Sequence, residues 1–486
     1  MSVNISAQTN KEIEILNADN TFADAKGHPD YWRLIGNVSF KHNNAIMLCD
    51  SAYHYTNQNK MKAFGKIKIT QGDSITLTGK NLTYFGSKNK ADIKGNVVLI
   101  DKYMTLKTEQ IIYNLVSNIA SYPLSGKIID NEKTINSKKG EYHSNIHNFI
   151  FTDSVKVVAK NYRILTDNMH YNSNSETSYF FGPSYIFSKD KTIFCKNGWY
   201  NTKTNISQFQ QDAYIKTKSQ LLKGDSIYYD EKLGYGKAIN NVEVIDTAEN
   251  ITIFGHLAEY FEKEETVEIK GKPLLQILFQ EDTLSMHAKK LVSQQKNGAK
   301  KLLAYNKVKF FKTNLQGKCD SLGYNFENKI IEMFSQPTIW SNEFQITADS
   351  LRILVDQGNI RNMFLNPNPM IVGQVDSLDY NLIKGKDMIA FFTNNKITRM
   401  DVKGNGQSIF IVTDEKKNDK IALNYTECTD LTLYFKNNKL DKVNYKIKPN
   451  SLTTPYNEVK EVDRYLKGFQ WRESEQPKKK KDIFIE

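Results

Sequence analysis

Proline is scarce in this chain: 10 residues in 486, against 26 tyrosines and 26 phenylalanines. Few chain breakers among many aromatics favour strands over helices. Arginine is scarce too, since 59 of the 66 basic residues are lysine and only seven are arginine. Sequence-specific nucleic-acid reading is thereby disfavoured, because bidentate contacts to bases and phosphates call for guanidinium groups. No apolar run reaches the roughly 18 residues a membrane-spanning helix requires. The longest, Leu274-Leu275-Gln276-Ile277-Leu278-Phe279, has the length of a strand. Cys49, Cys195, Cys319 and Cys428 stand more than a hundred residues apart, which excludes a zinc site built on close-spaced thiolates. Neither H-E-x-x-H nor a G-K-[ST] phosphate loop occurs.

The opening MSVNISAQTNK has neither the charged nor the apolar segment of a secretory leader. Ser6-Ala7-Gln8 nevertheless resembles the small-residue end of a cleavage site, so residues 1–12 are expected to be a leader remnant or a flexible start. The chain is 40% hydrophobic, enough for a core. Its net charge of +12 suits a polyanionic ligand or a membrane surface, or simply solvates the exterior.

What the chain does have is a clock. Tyr84, Tyr113, Tyr142, Tyr171, Tyr200 and Tyr229 follow one another at intervals of 29 residues without an insertion. Other columns keep the same time. Seven residues before each tyrosine stand Leu77, Leu106, Ile135, Ile164, Ile193 and Leu222. Five before stand the small residues Gly79, Thr108, Ser137, Thr166, Cys195 and Gly224, and four before come charged ones, from Lys80 to Asp225. Nine after are Ile93, Tyr122, Phe151, Phe180, Phe209 and Ala238; fifteen after are Leu99, Ile128, Val157, Ile186, Ile215 and Val244.

These offsets carry geometry. Positions nine, thirteen and fifteen after the tyrosine share parity and so one face of a strand. Parity switches between the positions seven and two before it, across the small residue, which predicts a corner there. Asn, Lys, Gly and Ser shortly after the tyrosine mark a turn. Each unit therefore reads as two or three short strands. The motif returns less regularly at Cys319-Asp320-Ser321, Asp349-Ser350, Asp376-Ser377 and Asp430-Leu431, and it is weakest between Pro273 and Asn306. After Pro449, the spacing of Val459, Val462, Leu466 and Phe469 predicts a helix, followed by a lysine-rich end.

One stretch imitates an enzyme. Gly224-Asp225-Ser226-Ile227, echoed at Gly72-Asp73-Ser74-Ile75, has the form of a GDSL-type nucleophile, and Asp167-x-x-His170 the form of its partners. All of these fall in the repeating columns, where Lys and Glu replace the Asp. A catalytic serine is unique to its site; this one recurs, so it reads as structure. His143 and His147, four apart, lie in a strand-turn stretch and not on a helix where they would share a metal.

The recurring units, DSIYYDEKLGYGKAINNVEVID above all, and GKNLTYFGSKNKADIKGNVVLID, resemble the OstA/LptA family of lipopolysaccharide-transport proteins, in its long OstA-like branch. The resemblance covers about residues 13–448, and LKGFQWRESEQP is similar to that branch's ending. It implies an all-β fold: an elongated, repeat-built β-jellyroll, V-shaped and taco-like, as against a β-solenoid of the same 29-residue period. The expected organisation is a β-repeat region over 13–272, a second over 273–448, and a helical, basic tail over 449–486. The resemblance further implies a non-enzymatic bridge in the periplasm or at the periplasmic face of the outer membrane. Such a bridge binds lipid A without a cofactor and meets other transport proteins, or copies of itself head to tail, through edge strands. The expected acyl-chain contacts are Phe151, Phe180, Phe209, Ile93, Ile128, Ile186, Ile215 and Leu99. The alternatives are a structural or adhesive β-solenoid with a closed core and, remotely, a GDSL-type hydrolase.

Overall fold

The computed structural model describes residues 12–485 apart from 72–74, 103, 131–132, 280–281, 297, 342–343, 357–358, 415–418 and 437–438. Residues 1–11 of the expected leader remnant and Gly72-Asp73-Ser74 lie outside the described residues. Among the described residues the chain is all-β, in forty strands joined by antiparallel pairings, with a few 3₁₀ turns. It divides into two compact units: the described residues up to Lys218 with Gly224–Leu233, and Ser219–Lys223 with Gly234 onward.

In the first unit, long strands such as Lys60–Gln71, Ile75–Phe85, Lys90–Asp101 and Met104–Asn114 pair in succession. Each is bent at its middle. Between the pairs Lys94–Gln110 and Val97–Thr108, Glu109 alone stands opposite Gly95 and Asn96. That is a two-against-one β-bulge, and both bulged residues have positive φ (87° and 48°). The same skip recurs between Phe64 and Ile67, Thr152 and Val155, and Phe181 and Ser184. A strand bent in this way gives one half to each of two layers that face one another, which is the jellyroll that the family resemblance implied.

The bulge accounts for the column pattern. One strand of each pair has a residue fewer at the corner, so its inward positions change parity there: Leu77 and Leu82, five apart, are both buried. The small residue sits inside the bend. A Cβ on Gly79 would lie 2.5 Å from Ile93 Cγ2. Where the column carries a hydroxyl, it donates to the carbonyl two residues on, as in Ser137 to Lys139 (2.9 Å) and Thr166 to Asn168 (3.1 Å). The charged neighbour lies outside the bend, and Lys138 Nζ meets Asp153 Oδ1 of the adjoining bulge at 3.1 Å. At the far ends of the strands, 3₁₀ turns such as Gly86–Lys88 and Ser144–Ile146 close on the left-handed residues Asn89 and His147.

The second unit begins in the same manner, with Tyr235–Asp246 against Ile251–Phe261 and a skip between Ile239 and Val242. Further along, the corners open into breaks. Ile330–Phe334 and Thr338–Ser341 are separate strands, and Ser335 and Gln336 between them have positive φ. Strand character persists through the weakly repeating stretch, in Leu274–Phe279, Asp282–His287 and Lys290–Lys296.

The expected helix near the end does not form. Asn450–Pro455 is a strand paired with Lys420–Cys428, and beyond it lie only short 3₁₀ turns. Val462 is 77% exposed, so the apolar spacing does not make a buried helical stripe. The segment is held extended by successive anchors on one layer of the second unit. Lys384 Nζ donates to Lys467 O, Gln345 Nε2 to Gln470 O, Gln476 Nε2 to Gln316 Oε1, and Lys309 Nζ to Ile485 O. It thus crosses the strands as a strap over their outer face. Leu466, Phe469 and Trp471 pack there against Met370, Val372, Tyr380, Leu382, Ile409 and Leu423. Beneath the strap these strands are buried on both faces, as the adjacent buried residues Ile371-Val372 and Leu382-Ile383 display.

Candidate functional site

The inward positions of the first unit form two facing rows. In one layer, cross-strand neighbours run Leu99–Leu106–Ile128–Ile135–Val157–Ile164–Ile186–Ile193–Ile215, aliphatic throughout. At about 4.8 Å per strand, this row is about 38 Å long. In the other layer, the order is Tyr122–Gly140–Phe151–Met169–Phe180–Gly198–Phe209. The glycines make room for the rings: a Cβ on Gly140 would come within 2.5 Å of Tyr122 Cζ. Ile93 pairs with Ile111 in this layer. Of the eight residues expected to touch acyl chains, Ile93, Leu99, Ile128, Phe151, Phe180, Ile186 and Phe209 are buried in the interior. Ile215, at the end of its row, is half-buried.

The mouth between the layers, opposite the corners, is closed by the clock tyrosines. The Tyr84 hydroxyl lies 2.5 Å from His42 Nδ1, and Tyr113 donates to Gln71 Oε1 at 2.7 Å. Tyr142 donates to Asp101 Oδ2, and Tyr171 to Asp130 Oδ2 at 3.0 Å. Each tyrosine is near the tip of one layer and its acceptor at the tip of the other, 41 or 42 residues back. Burial pushes the phenols of Tyr84 and Tyr171 well up and that of Tyr113 to about 12, so they stay protonated donors. Lys133 adds a cation 3.7 Å over the Tyr171 ring, and the tip turns are tied by Asn43 Nδ2 to Asn89 Oδ1 at 2.8 Å. The acceptors His42, Gln71, Asp101 and Asp130 were not singled out from the sequence, although they too recur at nearly the repeat spacing.

The other candidates disperse. Ser226 lies within the strand Gln220–Asp230, and its Oγ accepts from Gln208 Nε2 at 3.2 Å. His170 reaches Gln208 only through the pairs His170–Tyr179, Tyr179–Trp199 and Trp199–Gln208. Three strand spacings, roughly 14 Å, separate them. His143 ends a strand beside Glu141 Oε2 at 3.2 Å, while His147 takes a left-handed turn position. All four cysteines are free and buried, and burial pushes the thiols of Cys49, Cys195 and Cys319 up to about 12. They are packing groups without a thiolate.

The family model described as OstA-like protein matches residues 10–167 and 161–225. Among solved structures, the chain is similar to LptH, the LptA homologous periplasmic component of the conserved lipopolysaccharide transport device from Pseudomonas aeruginosa. Identity there is 11%, covering 22% of this chain and 81% of that one, with a TM-score of 0.21. No curated protein matches the chain. Together these matched segments take in residues 10–225, the part of the chain that carries the two-layered repeats of the first unit.

Proposed function

We propose that the chain is a non-enzymatic carrier that holds the acyl chains of lipopolysaccharide in the interior of its first unit and passes them between the inner and outer membranes. The observation that carries this reading is the pair of facing rows, an uninterrupted aliphatic row opposite an aromatic one. Each methylene moved from water into such surroundings contributes about 0.8 kcal/mol, so a few acyl chains are retained without any covalent step. Phe151, Phe180, Phe209, Ile93, Leu99, Ile128, Ile186 and Ile215 are the proposed contacts. Because these side chains now pack against one another, lipid enters by parting the layers along the tyrosine seam. The carrier works in the periplasm or on the periplasmic face of the outer membrane. There it meets other transport proteins, or further copies of itself, through edge strands.

The test is a titration of the purified chain with parinaric acid, a polyene fatty acid that brightens in apolar surroundings, followed by competition with lipid A. Saturable brightening reversed by lipid A is expected, together with its loss in a folded Phe180→Asp variant. Brightening that lipid A does not reverse would redirect the reading to another lipid. A second reading, a scaffold with a permanently closed core, is favoured by the full burial of Phe180 and Leu99 and by the hydrogen-bonded seam. It predicts no brightening at all.

A further inference from the structure

The aliphatic layer of the first unit has an outer face as well as an inner one. Side chains alternate along its strands, so the residues flanking Ile128, Ile135, Val157, Ile164 and Ile186 point outward. They form two cross-strand rows. One runs Ile129–Thr134–Val158–Arg163–Phe187, the other Lys127–Asn136–Lys156–Leu165–Tyr185–Phe194. Ile129, Val158 and Tyr185 are 38%, 43% and 39% exposed. Lys127, Lys156 and Arg163 are exposed beside them.

The rings on this face are joined. Tyr185 lies 6.1 Å from Phe187 and 4.9 Å from Phe194, which lies 5.2 Å from Tyr214, and the Arg163 guanidinium sits 4.6 Å over Phe187. Single exposed apolar side chains are ordinary on a protein, but a contiguous set marks a contact surface. Its charge is one-sided. Neither row holds a carboxylate, whereas on the outer face of the other layer Asp92 stands beside Lys94 and Glu141 beside His143.

An anionic bilayer surface complements this combination. Lysine and arginine stems lie along apolar surface while their charged heads reach phosphates, and tyrosine rings settle at headgroup level. A soluble polyanion would use the cations and leave Ile129, Val158 and Leu165 in water. A second copy of the same face would be repelled by like charge. The size also fits. Neighbouring strands rotate by about 20°, so a flat surface meets only a few strands at once. The five strands from Ile129 to Phe187 span about 19 Å.

We propose that this outer face of the first unit docks on an anionic lipid surface. Ile129, Val158, Tyr185 and Phe187 enter the headgroup layer, and Lys127, Lys156 and Arg163 meet its phosphates. The docking concerns the outside of the layer and holds whether or not lipid occupies the interior.

The test is sedimentation of the full chain with vesicles of phosphatidylglycerol and phosphatidylcholine in equal parts, and with vesicles of phosphatidylcholine alone. Co-sedimentation with the first, weakened by salt, and little with the second is expected. A chain that only extracts lipid into its interior stays in the supernatant, so failure here leaves the carrier reading untouched. Each cation near such a surface changes affinity about fivefold, so Lys127→Gln, Lys156→Gln and Arg163→Gln together should weaken binding about a hundredfold. A second measurement locates the contact. The four native cysteines are buried, so Val158→Cys and, on the outer face of the other layer, Thr152→Cys each take a nitrobenzoxadiazole label at one place. The label at position 158 should brighten on anionic vesicles, and that at position 152 should not. Binding that ignores lipid charge or the three substitutions, or equal brightening at both positions, overturns the proposal. No binding to either vesicle, the outcome expected of a face reserved for an acidic protein, overturns it as well.

Discussion

Tyr171 donates to Asp130 at 3.0 Å across the mouth of the first unit, although the two lie 41 residues apart in sequence and in different layers. Lys133 sits beside both, 3.5 Å from the carboxylate and 3.7 Å from the centre of the ring. Removing the hydroxyl leaves a largely buried carboxylate short of one donor. Tyr171→Phe should lower stability by about 1–2 kcal/mol, read as a shift in urea midpoint. Hydrogen exchange should quicken at the tip turn around residues 173–176. A midpoint within error of the parent would show that the seam carries no energy.

The parity of the aliphatic row gives a sharper contrast. Leu99 is fully buried, and its neighbour Ile100 is 48% exposed on the outer face. Leu99→Ala should cost about 2–5 kcal/mol, while Ile100→Ala stays within about 0.5 kcal/mol. Similar costs at the two positions would mean that the strand does not present the face described.

The strap makes its own prediction. Ending the chain after Pro455 would uncover Val372, Leu382 and Ile409, all now nearly inaccessible. The shortened chain should bind an apolar dye such as anilinonaphthalene sulfonate and aggregate at concentrations the full chain tolerates. A shortened chain that binds no more dye than the parent would show that the strap covers nothing of consequence.

Asp379, 1% exposed, fastens that strap: it accepts from Tyr456, Lys420 and Arg464, the last at 3.1 Å. Asp379→Ala should cost about 3 kcal/mol, because two cations lose their shared buried partner. Next to it, the Lys420 ammonium and then the backbone N–H groups of Leu378 and Asp379 hold the Asp376 carboxyl at about 2. A depressed carboxyl favours the folded state above its unfolded value near 4, and that contribution is lost as pH falls toward 2. Asp376 is 40% exposed, so solvent screens its share. Dye binding by the intact chain should accordingly rise below about pH 4 and stay flat from about pH 5 to 7. A rise centred near neutrality would point to groups other than these carboxylates.

Much of this was legible in the columns. The tyrosine period, the small residue in the corner and the parity switch from Leu77 to Leu82 are local consequences of a strand folded over a bulge, and local geometry repeats with the sequence. The Tyr171–Asp130 link is not local. It depends on how the two layers cross, which no window of 29 residues contains, although the acceptors His42, Gln71, Asp101 and Asp130 themselves kept time. The strap was misread for a related reason. Val459, Val462, Leu466 and Phe469 have helical spacing, but the apolar surface that receives Leu466 and Phe469 is supplied by strands about 40 to 100 residues earlier, recognisable only by adjacent buried pairs such as Ile371-Val372.

The central claim is that the facing rows hold lipid. Its most direct test is mass spectrometry of lipids extracted from the chain after purification from a Gram-negative host, alongside a Phe180→Asp variant with an unchanged circular-dichroism spectrum. The account predicts a near-stoichiometric acylated lipid on the parent chain, lipopolysaccharide or its lipid A portion, and its loss from the variant. A parent chain free of lipid, or a variant that retains as much, would contradict it.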